Sequence, residues 1–155
     1  GFLLRGRDPV TTVRVLLVDS SDDFLHGLSA WLGSESGIEI VGTARTGVEA
    51  VEKVDQLKPD LVVMDICMSH MNGFQATREI KAGAGAPRVL LTTFHASETA
   101  RSEARAAGAD ALIAKAEVTA NLRELIDGLL SGKKFTNGSG SQSSRREIRR
   151  KEKGV

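Results

Sequence analysis

The chain has 155 residues, of which 41% are apolar and 26% are charged, and its formal net charge at pH 7 is +1. This length and composition are typical of a single globular domain with a proper core. No apolar run approaches the roughly 18 residues of a membrane-spanning helix, so the sequence predicts no membrane-embedded segment.

Two further features of the composition bear on location and partners. Cys67 is the only cysteine, which excludes an internal disulfide and predicts a reducing, cytoplasmic location. The charge is unevenly spread, because residues 145–155 carry six Lys or Arg and two Glu, whereas residues 1–144 carry 15 basic and 18 acidic residues. The acidic body therefore offers no basic surface for nucleic acid.

The hydrophobic pattern predicts five strands that alternate with five helices. Residues 1–12 precede this pattern, show no periodicity and are predicted to be a disordered N-terminal extension. The predicted strands cover 13–18, 38–44, 60–65, 88–93 and 109–114. The predicted helices cover about 22–32, 47–57, 74–80, 97–107 and 118–130, with Ser20 or Ser21 capping the first and Val48, Val51, Val54 and Leu57 on the inward face of the second.

This alternation predicts an α/β fold with one five-stranded parallel sheet. Strands that alternate with helices are joined by right-handed crossovers, which place helices on both faces of the sheet. In open sheets of this kind, functional residues collect where the strands end. The carboxyl ends of the predicted strands are therefore the place to look for chemistry.

The third strand ends on a carboxylate. The run from Leu61 to Met64 is continuously apolar, as expected for a strand buried on both faces, and Asp65 follows it directly. Burying a carboxylate costs several kcal/mol unless it is paired or bound to metal. From this strand alone, a chemical role for Asp65 and a role in capping the next helix are about equally supported.

The other strand ends carry a compatible set of groups: Asp19 and Ser20 after the first, Thr92 and Thr93 in the fourth, and Lys115 after the fifth. Carboxylates can hold Mg²⁺, and a carboxylate can also attack phosphorus to form an aspartyl phosphate. Lysine and hydroxyl groups bind phosphoryl oxygens. Each residue alone has a plain structural explanation, but together the set indicates phosphoryl chemistry.

Over roughly residues 13–131 the sequence resembles the receiver domain of two-component response regulators. Four segments carry the resemblance, and their sequences are most similar to the NarL/FixJ-type transcriptional subgroup. The family implies a flavodoxin-like (βα)5 fold with strand order 2-1-3-4-5. The segments are Val15–Asp19, Asp60–Gly73, Leu91–Phe94 and Gly108–Lys115.

The resemblance also implies a role for each residue at the strand ends. Asp65 would accept a phosphoryl group from a sensor histidine kinase, while Asp19 and the backbone carbonyl of Cys67 would help hold Mg²⁺. Thr92, with Thr93 beside it, and Lys115 would bind the phosphoryl group. Phosphorylation would then remodel the face formed by helix 4, strand 5 and helix 5. Such a domain is not an enzyme, apart from weak self-dephosphorylation. We expect the Asp65 carboxylate to protrude at the edge of the sheet, open to solvent.

Several positions depart from the family pattern. Ser20 stands where a second acid usually binds the metal, so Mg²⁺ binding is expected to be weak, and Asp22 or Asp23 is expected to serve the helix start rather than the metal. Leu112 occupies the position of the usual switch aromatic. Ser69 stands where the family often has proline.

These departures leave three other readings open. The chain could be an atypical receiver that acts as a phosphorylation-independent protein interaction module. A Cys67, His70 and His95 transition-metal site is a minor alternative. An aspartate-nucleophile hydrolase is disfavoured, because such enzymes usually have an acid where Cys67 stands.

Residues 132–155 read as a flexible basic tail or a truncated linker, and Asn137–Ser144 has the composition of a flexible linker. No helix-turn-helix fits after residue 131, so DNA would be reached only through an output domain absent from this chain. The family also suggests a homodimer.

Overall fold

The computed structural model describes residues 12–132 as one five-stranded sheet with five α-helices. All strand pairs are parallel, and the strand order is β2-β1-β3-β4-β5. The predicted fold and strand order are confirmed. In chain order the elements are β1 (Val13–Val18), α1 (Asp22–Gly33), β2 (Ile38–Ala44), α2 (Gly47–Leu57), β3 (Leu61–Asp65), α3 (Gly73–Ala82), β4 (Arg88–Thr93), α4 (Glu98–Ala107), β5 (Ala111–Ala114), a 3₁₀ turn (Lys115–Glu117) and α5 (Val118–Leu130).

The sheet is buried on both faces, and alternate residues of each strand belong to different core layers. One layer joins Leu17, Val63 and Ile113 to α1 and α5. The other joins Leu16, Met64 and Leu91 to α2, α3 and α4. This explains why the inner strands read as continuous apolar runs rather than as alternating patterns.

Side-chain caps fix where the helices begin. Ser21 accepts a hydrogen bond from Phe24 N–H at the start of α1, so Ser21 rather than Ser20 is the cap. Asn72 and Gln75 form a capping box that begins α3 at Gly73, one residue before the predicted start. Ser97 caps α4, which therefore begins at Glu98.

A cluster of charges joins three elements at the edge of the sheet opposite the predicted site. The Asp110 carboxylate lies 2.7 Å from Lys81 Nζ and 2.9 Å from an Arg88 guanidinium nitrogen, and it also accepts a hydrogen bond from Val89 N–H. Burial raises the pKa of Asp110, but the hydrogen bonds from Lys81, Val89 and Arg88 and the charge of Lys81 together outweigh burial and hold the pKa below its ordinary value. The strand β5 begins after this cluster, at Ala111, and not at residue 109 as predicted.

One predicted core position is wrong. Val48 was expected to face inward from α2, but it is 45% exposed, whereas Ala50 is completely buried. The other three predicted inward positions, Val51, Val54 and Leu57, do pack against the second core layer, although each is only partly buried. The predicted extension (1–12) and tail (132–155) lie outside the described residues, except for residues 12 and 132.

No helix between residues 12 and 132 is both long enough and apolar enough to cross a bilayer.

Candidate functional site at the carboxyl edge of the sheet

Three charged side chains meet at the carboxyl edge of the sheet. The Lys115 ammonium lies 2.7 Å from Asp19 Oδ2 and 3.5 Å from Asp65 Oδ1, and all three side chains are buried. Neither carboxylate oxygen accepts a well-directed hydrogen bond from the described residues, although both lie within ion-pair distance of the ammonium. Both oxygens therefore retain the capacity to bind a further donor or a cation.

The register of the strands explains why these residues converge. Asp65 is paired with Thr92 across β3 and β4. Asp19, Asp65, Thr92 and Lys115 each continue the alternate positions of their strands that face α1 and α5, such as Leu17, Val63 and Ile113. Ser20 continues the opposite set and is exposed.

The prediction that Asp65 stands open to solvent is wrong. The residue is only 4% exposed, because neighbouring groups at the edge, including Lys115, enclose it. Burial, followed by repulsion from the Asp19 carboxylate, raises the pKa of Asp65, and these effects outweigh the attraction of Lys115 and the hydrogen bond from Cys67 N–H. Burial and the Asp19 charge thus make ionisation of Asp65 less favourable than it is in water.

The two threonines of β4 differ in their surroundings. The Thr92 hydroxyl is buried and has no hydrogen-bond partner among the described residues, so it is free to bond a group that arrives beside Asp65. The Thr93 hydroxyl exchanges hydrogen bonds of 3.3 Å with the backbone of His95. Thr93 also lies on the other side of the strand, which favours Thr92 as the ligand of an incoming group.

Leu112 is completely buried in the core layer that faces α2, α3 and α4. It is an aliphatic side chain packed in the interior, so it cannot swing between buried and exposed positions as an aromatic residue at the surface can.

The acidic residues at the start of α1 are occupied elsewhere. Asp19 Oδ1 accepts a hydrogen bond from Ser21 N–H, which orients the carboxylate at the edge. Asp22 forms an ion pair with Arg45 at 2.5 Å. Asp22 and Asp23 lie in the first turn of α1, where their charges favour the helix dipole. The structure therefore brings no second acid from this segment into contact with Asp19 to replace the missing one at position 20.

Sequence reasoning missed two residues of the site. The Lys115 ammonium lies 4.4 Å from the centre of the Phe24 ring and 4.5 Å from the centre of the Phe94 ring. The helical spacing of Phe24 among the apolar residues of α1 predicts only a core position for it. An aromatic residue directly after Thr92 and Thr93 is the signal that could have drawn attention to Phe94.

The donors at the edge fit a weakly held Mg²⁺ ion. Asp19 and Asp65 supply carboxylate oxygens with unused acceptor capacity, and Mg²⁺ commonly binds through one or two carboxylates and keeps several waters. Between residues 12 and 132 no group of three or more His, Cys, Asp and Glu side chains is placed to hold a metal ion. This counts against the alternative site formed by Cys67, His70 and His95.

The fold and the edge cluster together define a flavodoxin-like domain with two carboxylates, a lysine and a hydroxyl at its functional edge. The chain belongs to the response regulator receiver domain family, whose model matches residues 15–127. Receiver domains are the signalling modules of two-component systems.

Similar proteins are consistent with this assignment. The response regulator protein VraR of Staphylococcus aureus is 36% identical over 116 residues, which cover 75% of this chain and 54% of that protein. The chain thus spans about half the length of the curated relatives it matches.

Two solved structures are also similar. A LuxR-family two-component response regulator from Aurantimonas sp. SI85-9A1 has a TM-score of 0.80 and 29% identity, covering 89% of this chain and 99% of that one. The response regulator domain of Thermotoga maritima CheB has a TM-score of 0.70 and 35% identity, covering 75% and 94%.

Proposed function

We propose that this domain is a signalling switch that accepts a phosphoryl group on Asp65. The observation that carries the proposal is the buried group formed by Asp19, Asp65 and Lys115, with the unpartnered Thr92 hydroxyl beside it. A phosphoryl group on Asp65 would bring oxygens that can accept hydrogen bonds from Lys115 and Thr92. The proposal thus gives the Thr92 hydroxyl the acceptor that it lacks among the described residues.

In the proposed reaction a carboxylate oxygen of Asp65 attacks phosphorus, and the bond between phosphorus and the donor atom of a sensor histidine kinase breaks. Lys115 neutralises part of the charge of the phosphoryl group, which is about −1.5 to −2 at pH 7 and replaces the single charge of the Asp65 carboxylate. Asp19, Asp65 and the backbone carbonyl of Cys67 would hold Mg²⁺, which supplies further positive charge when bound. Because Asp65 is nearly covered, the side chains around it, including Lys115, must move before the phosphoryl donor can reach it.

The test is incubation of the full chain with Mg²⁺ and acetyl phosphate, followed by intact-mass measurement. We expect the mass of one added phosphoryl group in the unaltered chain and none in Asp65→Asn. Asp55→Asn is the matched control, because Asp55 lies on the exposed surface of α2. A chain that gains no phosphoryl group, or an adduct that persists in Asp65→Asn, would contradict the proposal.

A phosphorylation-independent interaction module is the second candidate. It is favoured by the exposed position of Ser20 and by the Lys115 ammonium, which already neutralises part of the charge between the two carboxylates. Such a module would bind its partner equally well in the unaltered chain and in Asp65→Asn. Affinity that depends on acetyl phosphate treatment would instead support the switch.

The output and the partners follow from the family as proposals. We infer a cytoplasmic protein that receives its phosphoryl group from a sensor histidine kinase and controls transcription through α4, β5 and α5, with DNA contacted by an output domain outside this chain.

Homodimers formed on phosphorylation would appear as a doubled mass in light scattering with beryllofluoride. Equal masses with and without beryllofluoride would rule out phosphorylation-driven dimerisation.

A further inference from the structure

Phe94 is unusual because it is a large apolar side chain that remains 82% exposed. It follows β4 directly, and it belongs to neither core layer. Burying such a ring would contribute roughly 1.5–3 kcal/mol, so leaving it exposed forgoes a substantial stabilisation. The contact that the structure gives this ring is with the Lys115 ammonium, 4.5 Å from its centre.

The second ring has a different setting. Phe24 lies on α1 and is partly buried against the core layer formed with α5, so it is fixed by the fold. Its centre lies 4.4 Å from the same ammonium. Lys115 is therefore contacted by a fixed ring from α1 and by an exposed ring from the segment after β4. Aromatic faces at this distance attract cations electrostatically.

We propose that Phe24 and Phe94 are positioning residues that form an aromatic clamp on the Lys115 ammonium. The clamp holds the charge between Asp19 and Asp65, and both rings restrict its access to water. A role of the clamp in signalling rests on the proposed function, because the clamp would hold the ammonium where it can bind a phosphoryl group on Asp65. The clamp itself exists in the unphosphorylated chain and can be tested there.

The test measures how fast each lysine is acylated by acetic anhydride at low conversion, read by peptide mass spectrometry. Lys58 and Lys81 serve as internal references in the same sample. Lys58 is an exposed lysine, and Lys81 is paired with Asp110 away from the clamp. In the unaltered chain Lys115 should be acylated more slowly than either. In Phe94→Leu, which keeps an apolar side chain but removes the ring, we expect the rate at Lys115 relative to Lys81 to rise about threefold to tenfold.

Phe94→Tyr tests whether the aromatic ring itself is needed, because this substitution keeps the aromatic face. We expect it to leave the Lys115 rate close to that of the unaltered chain. Phe24→Leu should raise the rate as Phe94→Leu does, with circular dichroism confirming that α1 is still folded. An unchanged rate in Phe94→Leu, or an equal rise in Phe94→Tyr, would overturn the proposal. Neither result depends on whether Asp65 can be phosphorylated.

Discussion

At the scale of single residues, Asp65 makes stability depend on pH. Its pKa is raised in the folded chain above the ordinary value of 3.8, first by burial and then by Asp19. Between pH 3.8 and the raised pKa, the folded state therefore binds more protons than the unfolded state. The stability contributed by Asp65 falls as the pH rises through this range.

We therefore expect Asp65→Asn to gain stability relative to the unaltered chain as the pH rises from below 3.8 to neutrality. The amide has nearly the same shape and does not ionise, and other titrating groups largely cancel in the difference. The measurement is the free energy of unfolding in urea for both chains at several pH values. A difference that is constant with pH, or that shrinks as the pH rises, would contradict the raised pKa.

Ser20 is the residue whose replacement should change metal binding most. Restoring an acid with Ser20→Asp adds a full negative charge next to Asp19, so we expect Mg²⁺ and Mn²⁺ to bind roughly tenfold more tightly, as a charge worth about 1.4 kcal/mol would give. Titration calorimetry measures the affinity. Ser36→Asp is the matched control, because it adds the same charge just before β2, at the opposite edge of the sheet. Equal affinities in both variants would show that position 20 does not limit binding.

At the scale of elements, the start of α3 is packed directly against the backbone that carries Asp65. Gly73 N–H donates to Ile66 O at 3.0 Å. A Cβ on Gly73 would lie 2.5 Å from the carbonyl oxygen of Asp65 and 2.7 Å from Ile66 Cα. The absence of a side chain at Gly73 thus lets the helix approach the end of β3 and hold its loop in place.

Gly73→Ala should therefore destabilise the fold by roughly 1–3 kcal/mol, because backbone atoms rather than a flexible side chain must move. Gly27→Ala is the control, since a Cβ there meets nothing within 4 Å and alanine favours the helix. We expect that variant to be more stable by about 0.5–1 kcal/mol. Urea unfolding of both variants tests the contrast, and similar effects of the two substitutions would argue against close packing at Gly73.

At the scale of the whole molecule, the sequence predicts the strands and helices and the group of residues at the carboxyl edge of the sheet. Both follow from the regular spacing of apolar residues along the chain. Alternating strands and helices determine the sheet, and the carboxyl ends of parallel strands must share one edge, so Asp19, Asp65, Thr92 and Lys115 could be grouped in advance. The covering of Asp65 and the clamp on Lys115 could not be predicted, since they depend on how side chains from separate elements fill the edge. The exposure of Val48 on α2 likewise depends on packing and could not be predicted.

The helices α4 and α5, on opposite faces of the sheet, are held with unequal strength. On one face, α5 buries Val118, Leu122, Ile126 and Leu129. On the other, α4 buries only Ala100, Ala104 and Ala107. A buried methyl group contributes roughly 0.8 kcal/mol and a buried Val, Leu or Ile side chain roughly 1.5–3 kcal/mol. The helix α4 is therefore attached far more weakly than α5, although Ser97 and Gly108 cap both of its ends.

We expect α4 to open locally without global unfolding, with an opening free energy lower than that of α5 by at least ~2 kcal/mol. Hydrogen exchange of interior amides measures this directly, and amides from 103–106 can be compared with those from 122–126 to avoid fraying at the ends. Equal protection of both helices would show that alanine packing holds α4 as firmly as larger side chains hold α5. If phosphorylation of Asp65 acts through α4, β5 and α5 as proposed, weak attachment would make α4 the element of that surface that shifts with the least energy.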